Sequence, residues 1–92
     1  MKTIYKYPVS VGADNVIVAP AGAQFLRFGH QAGDLFVWAL IDAEAGSSKQ
    51  YNFLVAGTGF PVPDAGVEYL GSTDTPGGFV WHCFQWQMAY PT

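Results

Sequence analysis

The chain has 92 residues, which is the length of a single small domain. Its formal net charge is −3, and its only basic residues are Lys2, Lys6, Arg27 and Lys49. So few cations, scattered along the sequence, cannot neutralise a nucleic-acid backbone, which excludes duplex DNA or RNA as an expected partner but leaves a single nucleotide open.

Glycine and proline divide the chain into short segments rich in valine, isoleucine and aromatic residues, a composition typical of β-strands. We predict seven strands, at residues 3–7, 15–19, 23–31, 35–42, 50–56, 67–72 and 79–87, and the first could resume at residues 9–11. This spacing predicts an all-β fold, either a single small antiparallel β-sandwich or a partly closed barrel. Residues 1–92 are expected to form one domain with a frayed tail at residues 87–92.

The fourth predicted strand, residues 35–42, carries apolar side chains on both of its faces. Val37 and Ile41 alternate with Phe36 and Trp38 along this segment. A strand that is apolar on both faces is typical of the centre of a sheet covered on both sides. We therefore expect Trp38 to be buried.

The loop after the fifth strand begins with the residues Gly57, Thr58, Gly59, Phe60 and Pro61. Its two glycines suggest a phosphate-binding loop, but the prolines that follow exclude the helix that such a motif opens. The loop is then either a stiff connector or a preordered segment that displays Phe60 to a partner or ligand. We take these five residues as candidate binding residues.

The last strand contains Trp81, His82 and Cys83 in succession. Neighbouring strand residues point to opposite faces, so His82 and Cys83 cannot act as a pair. Even with His30 the chain lacks the three or four ligands of a zinc site, and we predict no metal, no cofactor and no catalytic residue. Cys83 is expected in the core, while Trp81 and His82 are candidate contacts for a partner or ligand. An alternative for His82 is a half-buried ring bonded to a backbone carbonyl or a carboxylate.

The composition predicts self-association. Hydrophobic residues make up 50% of the chain and charged residues 12%. A domain of this size leaves about a third of its surface in water, and so few charges would leave apolar patches that monomers avoid. We predict a homo-oligomer, most simply a two-fold dimer, with the ring-bearing strand at residues 79–87 as the candidate interface.

Six short motifs, taken in their order and spacing along the chain, resemble a family of uncharacterised small proteins encoded by bacteriophages and prophages. They are IYKYP (residues 4–8), PAGA (20–23), WALID (38–42), GTGFPVP (57–63), YLGS (69–72) and FVWHCF (79–84). The resemblance covers about residues 3–84 and implies a phage origin and a host-cell setting, but no activity. The single cysteine favours a reducing cytoplasm, and no apolar run has the length of a signal peptide or a membrane span.

Three functions remain open at this stage. The first is a non-catalytic binding protein that acts on a host protein or sequesters a small ligand, in the service of countering host defence. The second is a minor structural or assembly component of a phage particle. The third is a small enzyme, which we do not expect because the acidic residues fall mostly in predicted turns and suggest no catalytic pair.

Overall fold

Seven antiparallel strands form two sheets, and the structure, a computed structural model, describes residues 1–87. The strands are β1 (Lys2–Pro8), β2 (Gly12–Pro20), β3 (Gln24–Gln31), β4 (Asp34–Asp42), β5 (Ser48–Gly57), β6 (Val67–Thr75) and β7 (Phe79–Trp86). Sheet A has the order β1-β4-β3 and sheet B the order β2-β5-β7-β6. The predicted all-β sandwich is confirmed, and the sheets are not closed into a barrel.

The core lies between the two sheets and follows from the alternation of side chains along their central strands. In β4 the residues Leu35, Val37, Ala39 and Ile41 are buried, while the residues between them are only partly buried. Sheet B contributes the fully buried side chains of Phe53, Val55 and Cys83. The period of two is what a pleated strand imposes when one face meets a core.

The predicted position of β4 at the centre of its sheet is confirmed, but the prediction that both of its faces are covered is wrong. Trp38 lies on the outer face of sheet A and is partly buried, because two layers leave the outside of each sheet without a third. In place of another layer, the guanidinium of Arg27 lies 5.2 Å from the centre of the Trp38 ring. The ammonium of Lys6 lies 4.4 Å from the centre of the Phe36 ring.

Strand β7 lies inside sheet B, paired with β5 on one side and β6 on the other. Both backbone edges of β7 are therefore paired within sheet B, so a second copy could contact this strand only through one of its faces. The register pairs Cys83 with Val55 and His82 with Ala56, which places Cys83 in the core and His82 on the outer face. The predicted opposition of His82 and Cys83 is confirmed.

Strands β3 and β6 close one side of the sandwich. A Cβ placed at Gly71 in β6 would lie 3.6 Å from the Cβ of Phe28 and 3.7 Å from its backbone nitrogen. On the opposite side β1 is more open, and Tyr5 is half exposed. Residues 1–87 form no helix that is long and apolar enough to cross a membrane. Of the predicted frayed tail, only Gln87 is among the described residues, and its amide N–H donates to the Gly66 carbonyl at 2.8 Å.

Candidate functional site

An open cleft of about 480 Å³ lies at one end of sheet B, where β5 ends and β7 begins. Its walls are the rings of Phe60, Phe79 and Trp81. The rings of Phe79 and Trp81 are stacked, with centroids 5.8 Å apart and planes at 22°. The remaining lining residues are Gly57, Thr58, Gly78 and Val80. The cleft therefore joins the loop after β5 to the start of β7.

A tight turn after β5 brings the Phe60 ring back over the end of its own strand. The Phe60 amide donates to the Gly57 carbonyl at 3.0 Å, and Gly59 has a φ of 91°. A Cβ at Gly57 would lie 2.9 Å from two Phe60 ring carbons and 3.0 Å from the Trp81 ring. Glycine at position 57 thus leaves the space in which both rings meet the backbone.

Hydrogen bonds hold the other wall of the cleft in place. The Thr58 amide donates to the Val80 carbonyl at 3.3 Å, which ties the turn to β7. The Trp81 indole Nε1–H donates to Thr75 Oγ1 at 3.0 Å. Gly77 and Gly78 have φ values of 104° and 87°, which allow the tight turn that leads into Phe79. The rings therefore sit on backbone fixed from both sides.

A chain of four polar side chains runs from the edge of the cleft across the outer face of sheet B. Thr58 Oγ1 lies 2.9 Å from His82 Nε2, and His82 Nδ1 lies 2.7 Å from Ser72 Oγ. Ser72 Oγ in turn lies 2.7 Å from the Tyr69 hydroxyl. His82 is thus bonded to two hydroxyls, not to the backbone carbonyl or carboxylate expected from the sequence. Either tautomer satisfies both ring nitrogens, because each hydroxyl can donate or accept.

The hydrogen bonds of this network connect the turn at Thr58 to two strands of sheet B. In a hydrolytic triad a carboxylate orients the histidine and stabilises its charged form during the reaction. Among the hydrogen bonds of residues 1–87, His82 has only Thr58 and Ser72 as side-chain partners. The four hydrogen-bonded side chains therefore fix the turn at Thr58 against β6 and β7.

The lining of the cleft is electrically neutral in the described part of the chain. No charged side chain lines the cleft, and residues 1–87 contain no group of three His, Cys, Asp or Glu residues able to hold a metal. Beneath it, burial raises the pKa of the Cys83 thiol to about 12. Such a thiol stays protonated at neutral pH and is therefore a poor nucleophile.

Residues 1–91 match the model of a protein family described as "Domain of unknown function (DUF7352)". The chain belongs to this family. No curated protein and no solved structure gives a match. The family description carries no activity, so function must be inferred from the residues of the site itself.

In this DUF7352 domain the candidate residues from the sequence fall into three places. Gly57, Thr58, Phe60 and Trp81 all line the cleft. Gly59 forms the tip of the turn, while Pro61 and Phe60 border a smaller depression of about 240 Å³ beside the start of β2. His82 faces away from Trp81 but reaches the same turn through Thr58.

Three residues of the site in this DUF7352 domain are not predicted from its sequence. Phe79 completes the ring wall, and its only signal in the sequence is a phenylalanine directly after a Pro-Gly-Gly turn. Ser72 contacts His82 directly, and Tyr69 is connected to it through the Ser72 hydroxyl. Only the pairing of β6 with β7 places Ser72 opposite His82, and no spacing along the chain indicates it.

Proposed function

We propose that this chain is a non-catalytic binding protein of phage origin that acts on a host protein through the aromatic cleft. The observation that carries the proposal is the exposure of Phe60 and Phe79, at 63% and 62%, beside the stacked Trp81. Exposed aromatic rings on fixed backbone supply large contact areas at a low entropic cost of ordering. Aromatic anchors of this kind dominate the binding energy of many protein interfaces.

The open shape of the cleft supports a protein partner over a sequestered small molecule. Small-molecule sites enclose about 70–90% of a ligand's surface. Here two of the three rings are more exposed than buried, so a small ligand would remain largely in water. A protein surface, in contrast, covers the projecting rings from outside. The absence of charge from the described cleft lining favours an apolar or aromatic contact residue on that partner.

The phage origin rests on the order of motifs from IYKYP to FVWHCF, and it carries two further proposals. The chain acts in the cytoplasm of the host cell, and its target belongs to host defence. The alternative function, a minor structural or assembly component of a phage particle, would use a different surface. The outer edges of β1 and β2 are unpaired within their sheets, and such edges can pair with another chain.

A pull-down with matched variants tests the proposed function. The bait proteins are the wild type, the cleft variant F60S/F79S and the control Y5S/L26S, whose Tyr5 and Leu26 are exposed on sheet A at 51% and 45%. Each is incubated with lysate of the bacterium that carries the gene, after circular dichroism has shown that it is folded.

The proposal expects one host protein to be retained by the wild type and by the control and lost from the cleft variant. Equal retention by all three baits would remove the cleft as the recognition site. Detection of the chain by mass spectrometry in purified phage particles would support the structural alternative instead.

A further inference from the structure

The tertiary structure gathers three of the four basic side chains on one face of the molecule. The register of sheet A places Lys2, Lys6 and Arg27 on its outer face. Lys6 and Arg27 both pair with Trp38, one from each side, and Lys2 pairs with Asp42. The fourth, Lys49, belongs to β5 in the other sheet. The cations that are scattered in the sequence are therefore neighbours in space.

Two of these cations are held over aromatic rings. Arg27 lies over Trp38, and a Cβ at Gly29 would lie 3.1 Å from Arg27 Nε and 3.4 Å from the Trp38 ring. Both groups therefore lie close above the backbone of β3 at Gly29, where an added Cβ would contact them tightly. Lys6 lies over Phe36 and donates to Gln31 Oε1 at 2.7 Å. These ring contacts restrict the motion of both cationic side chains in the unbound protein.

Neither of these two cations is neutralised within residues 1–87. Lys6 and Arg27 form no ion pair there, and the ion pairs of that region join the N-terminal amine to Asp42 and Glu44. Nor does Arg27 donate a hydrogen bond to another described side chain or carbonyl. A guanidinium stacked on a ring keeps its N–H edge free to bind a carboxylate with two parallel hydrogen bonds.

We infer that the outer face of sheet A is a second binding site, for an extended acidic protein segment whose carboxylates lie two residues apart. Lys6 and Arg27 flank Trp38 on either side of β4, about 10 Å apart at the backbone given the usual spacing of strands. Carboxylates two residues apart on an extended segment point to the same side and reach both cations, since an extended chain rises about 3.3 Å per residue and both cationic side chains are long.

The limited extent of the positive surface favours an acidic peptide over a nucleic acid. Asp34 and Asp42 lie at the two ends of β4 on this same face. A continuous chain of phosphates along β4 would meet one of these carboxylates, whereas a short acidic segment lies between them. The inference goes beyond the proposed function, because this face and the aromatic cleft share no residue.

Fluorescence anisotropy with defined probes tests this site. The probes are a labelled octapeptide that alternates glutamate and leucine, the same peptide with glutamine for glutamate, and an oligothymidylate with the charge of the first peptide. The protein is wild type, the double variant K6Q/R27Q, or the single variants K6Q, R27Q and K49Q. Lys49 is a matched control because its ammonium also lies over a ring, 5.7 Å from the centre of Tyr51.

We expect the wild type to bind the glutamate peptide at low ionic strength. The K6Q/R27Q variant should bind it about tenfold more weakly, which is a loss of about 1.4 kcal/mol of binding free energy, and each of the two single variants should lose less. The K49Q variant and the cleft variant F60S/F79S bind it as the wild type does, and the glutamine peptide binds to none. Absence of binding to the glutamate peptide, or an equal loss in K49Q and K6Q, would overturn the inference. Tighter binding of the oligothymidylate would also overturn it, in favour of single-stranded nucleic acid. None of these outcomes bears on the aromatic cleft, whose test uses a different face.

Discussion

Thr58 and His82 are joined by a hydrogen bond of 2.9 Å that links the turn after β5 to the outer face of β7. Through His82 the turn is also connected to Ser72 on β6, so three strands of sheet B support the residue beside the aromatic cleft. The cleft is thereby held on a sheet instead of resting on a free loop. The first prediction follows from this bond.

Replacing Thr58 with valine removes the hydroxyl and leaves a side chain of similar shape. We expect T58V to lose no more than about 1 kcal/mol of unfolding free energy, because the bond is exposed. Hydrogen exchange at the Phe60 amide should nevertheless become faster, since the turn has lost a tether. The control S72A leaves the Thr58–His82 bond in place and should change that exchange less. Equal exchange rates in T58V and the wild type would show that the backbone alone fixes the turn.

Gly57 and Gly46 offer a matched pair for the crowding beneath Phe60. The variant G57A places a Cβ within 2.9 Å of the Phe60 ring, and we expect a loss of about 1–3 kcal/mol. The variant G46A meets no atom within 4 Å and should be neutral or slightly stabilising. Denaturant unfolding of both variants measures the difference. If G57A matched G46A in stability, Phe60 would not pack where we describe it.

Trp38 and Phe53 distinguish the outer face of sheet A from the core. Phe53 is 0% exposed, so F53A should cost about 3–5 kcal/mol, enough to unfold a small domain. Trp38 is only partly buried, and W38A should remain folded with a smaller loss, most of it from the contact with Arg27. Thermal unfolding followed by circular dichroism ranks the two variants. A larger loss for W38A than for F53A would contradict the placement of Trp38 outside the core.

Cys83 predicts a decrease in stability at alkaline pH. The pKa of its thiol is raised by burial from 9.0 to about 12 in the folded state. Between these values the unfolded thiol loses its proton while the folded one keeps it, so unfolding releases a proton and stability falls as pH rises. The pKa of Tyr7 is also raised, first by burial and then by Tyr5, and it acts in the same direction. Urea unfolding at pH 7 and pH 10 should show the decrease, and C83A should show a shallower one.

Self-association remains a prediction, and the structure changes where we expect it. With β7 inside its sheet, we propose the edge strand β2, which exposes Val16 and Val18. Sedimentation equilibrium at micromolar concentration should show a dimer, and V16K/V18K should shift it toward the 9.9 kDa monomer. A wild type that sediments as a monomer would contradict the prediction, and an unchanged dimer in the variant would move the interface away from β2.

The sequence by itself determined the strands, because strand formation depends on local composition and on the residues that end each segment. All seven predicted strands are present, with bounds that differ by up to three residues. The alternation that places Cys83 inside and His82 outside is likewise local, since it follows from the pleat alone. The sequence also indicated the turn at Gly57–Pro61 and the ring of Trp81 as candidate contacts, and these largely meet in one cleft.

Only the tertiary structure decided which strands pair and how many layers cover each sheet. The two faces of β4 are both apolar in the sequence, but the number of layers, which no local pattern records, left Trp38 on the outside. The pairing of β6 with β7 brought Ser72 to His82, residues that no motif connects. The pairing of β1 and β3 with β4 brought Lys6 and Arg27 to the two sides of Trp38. Contacts between residues distant in the chain depend on register and packing, which are properties of the whole fold.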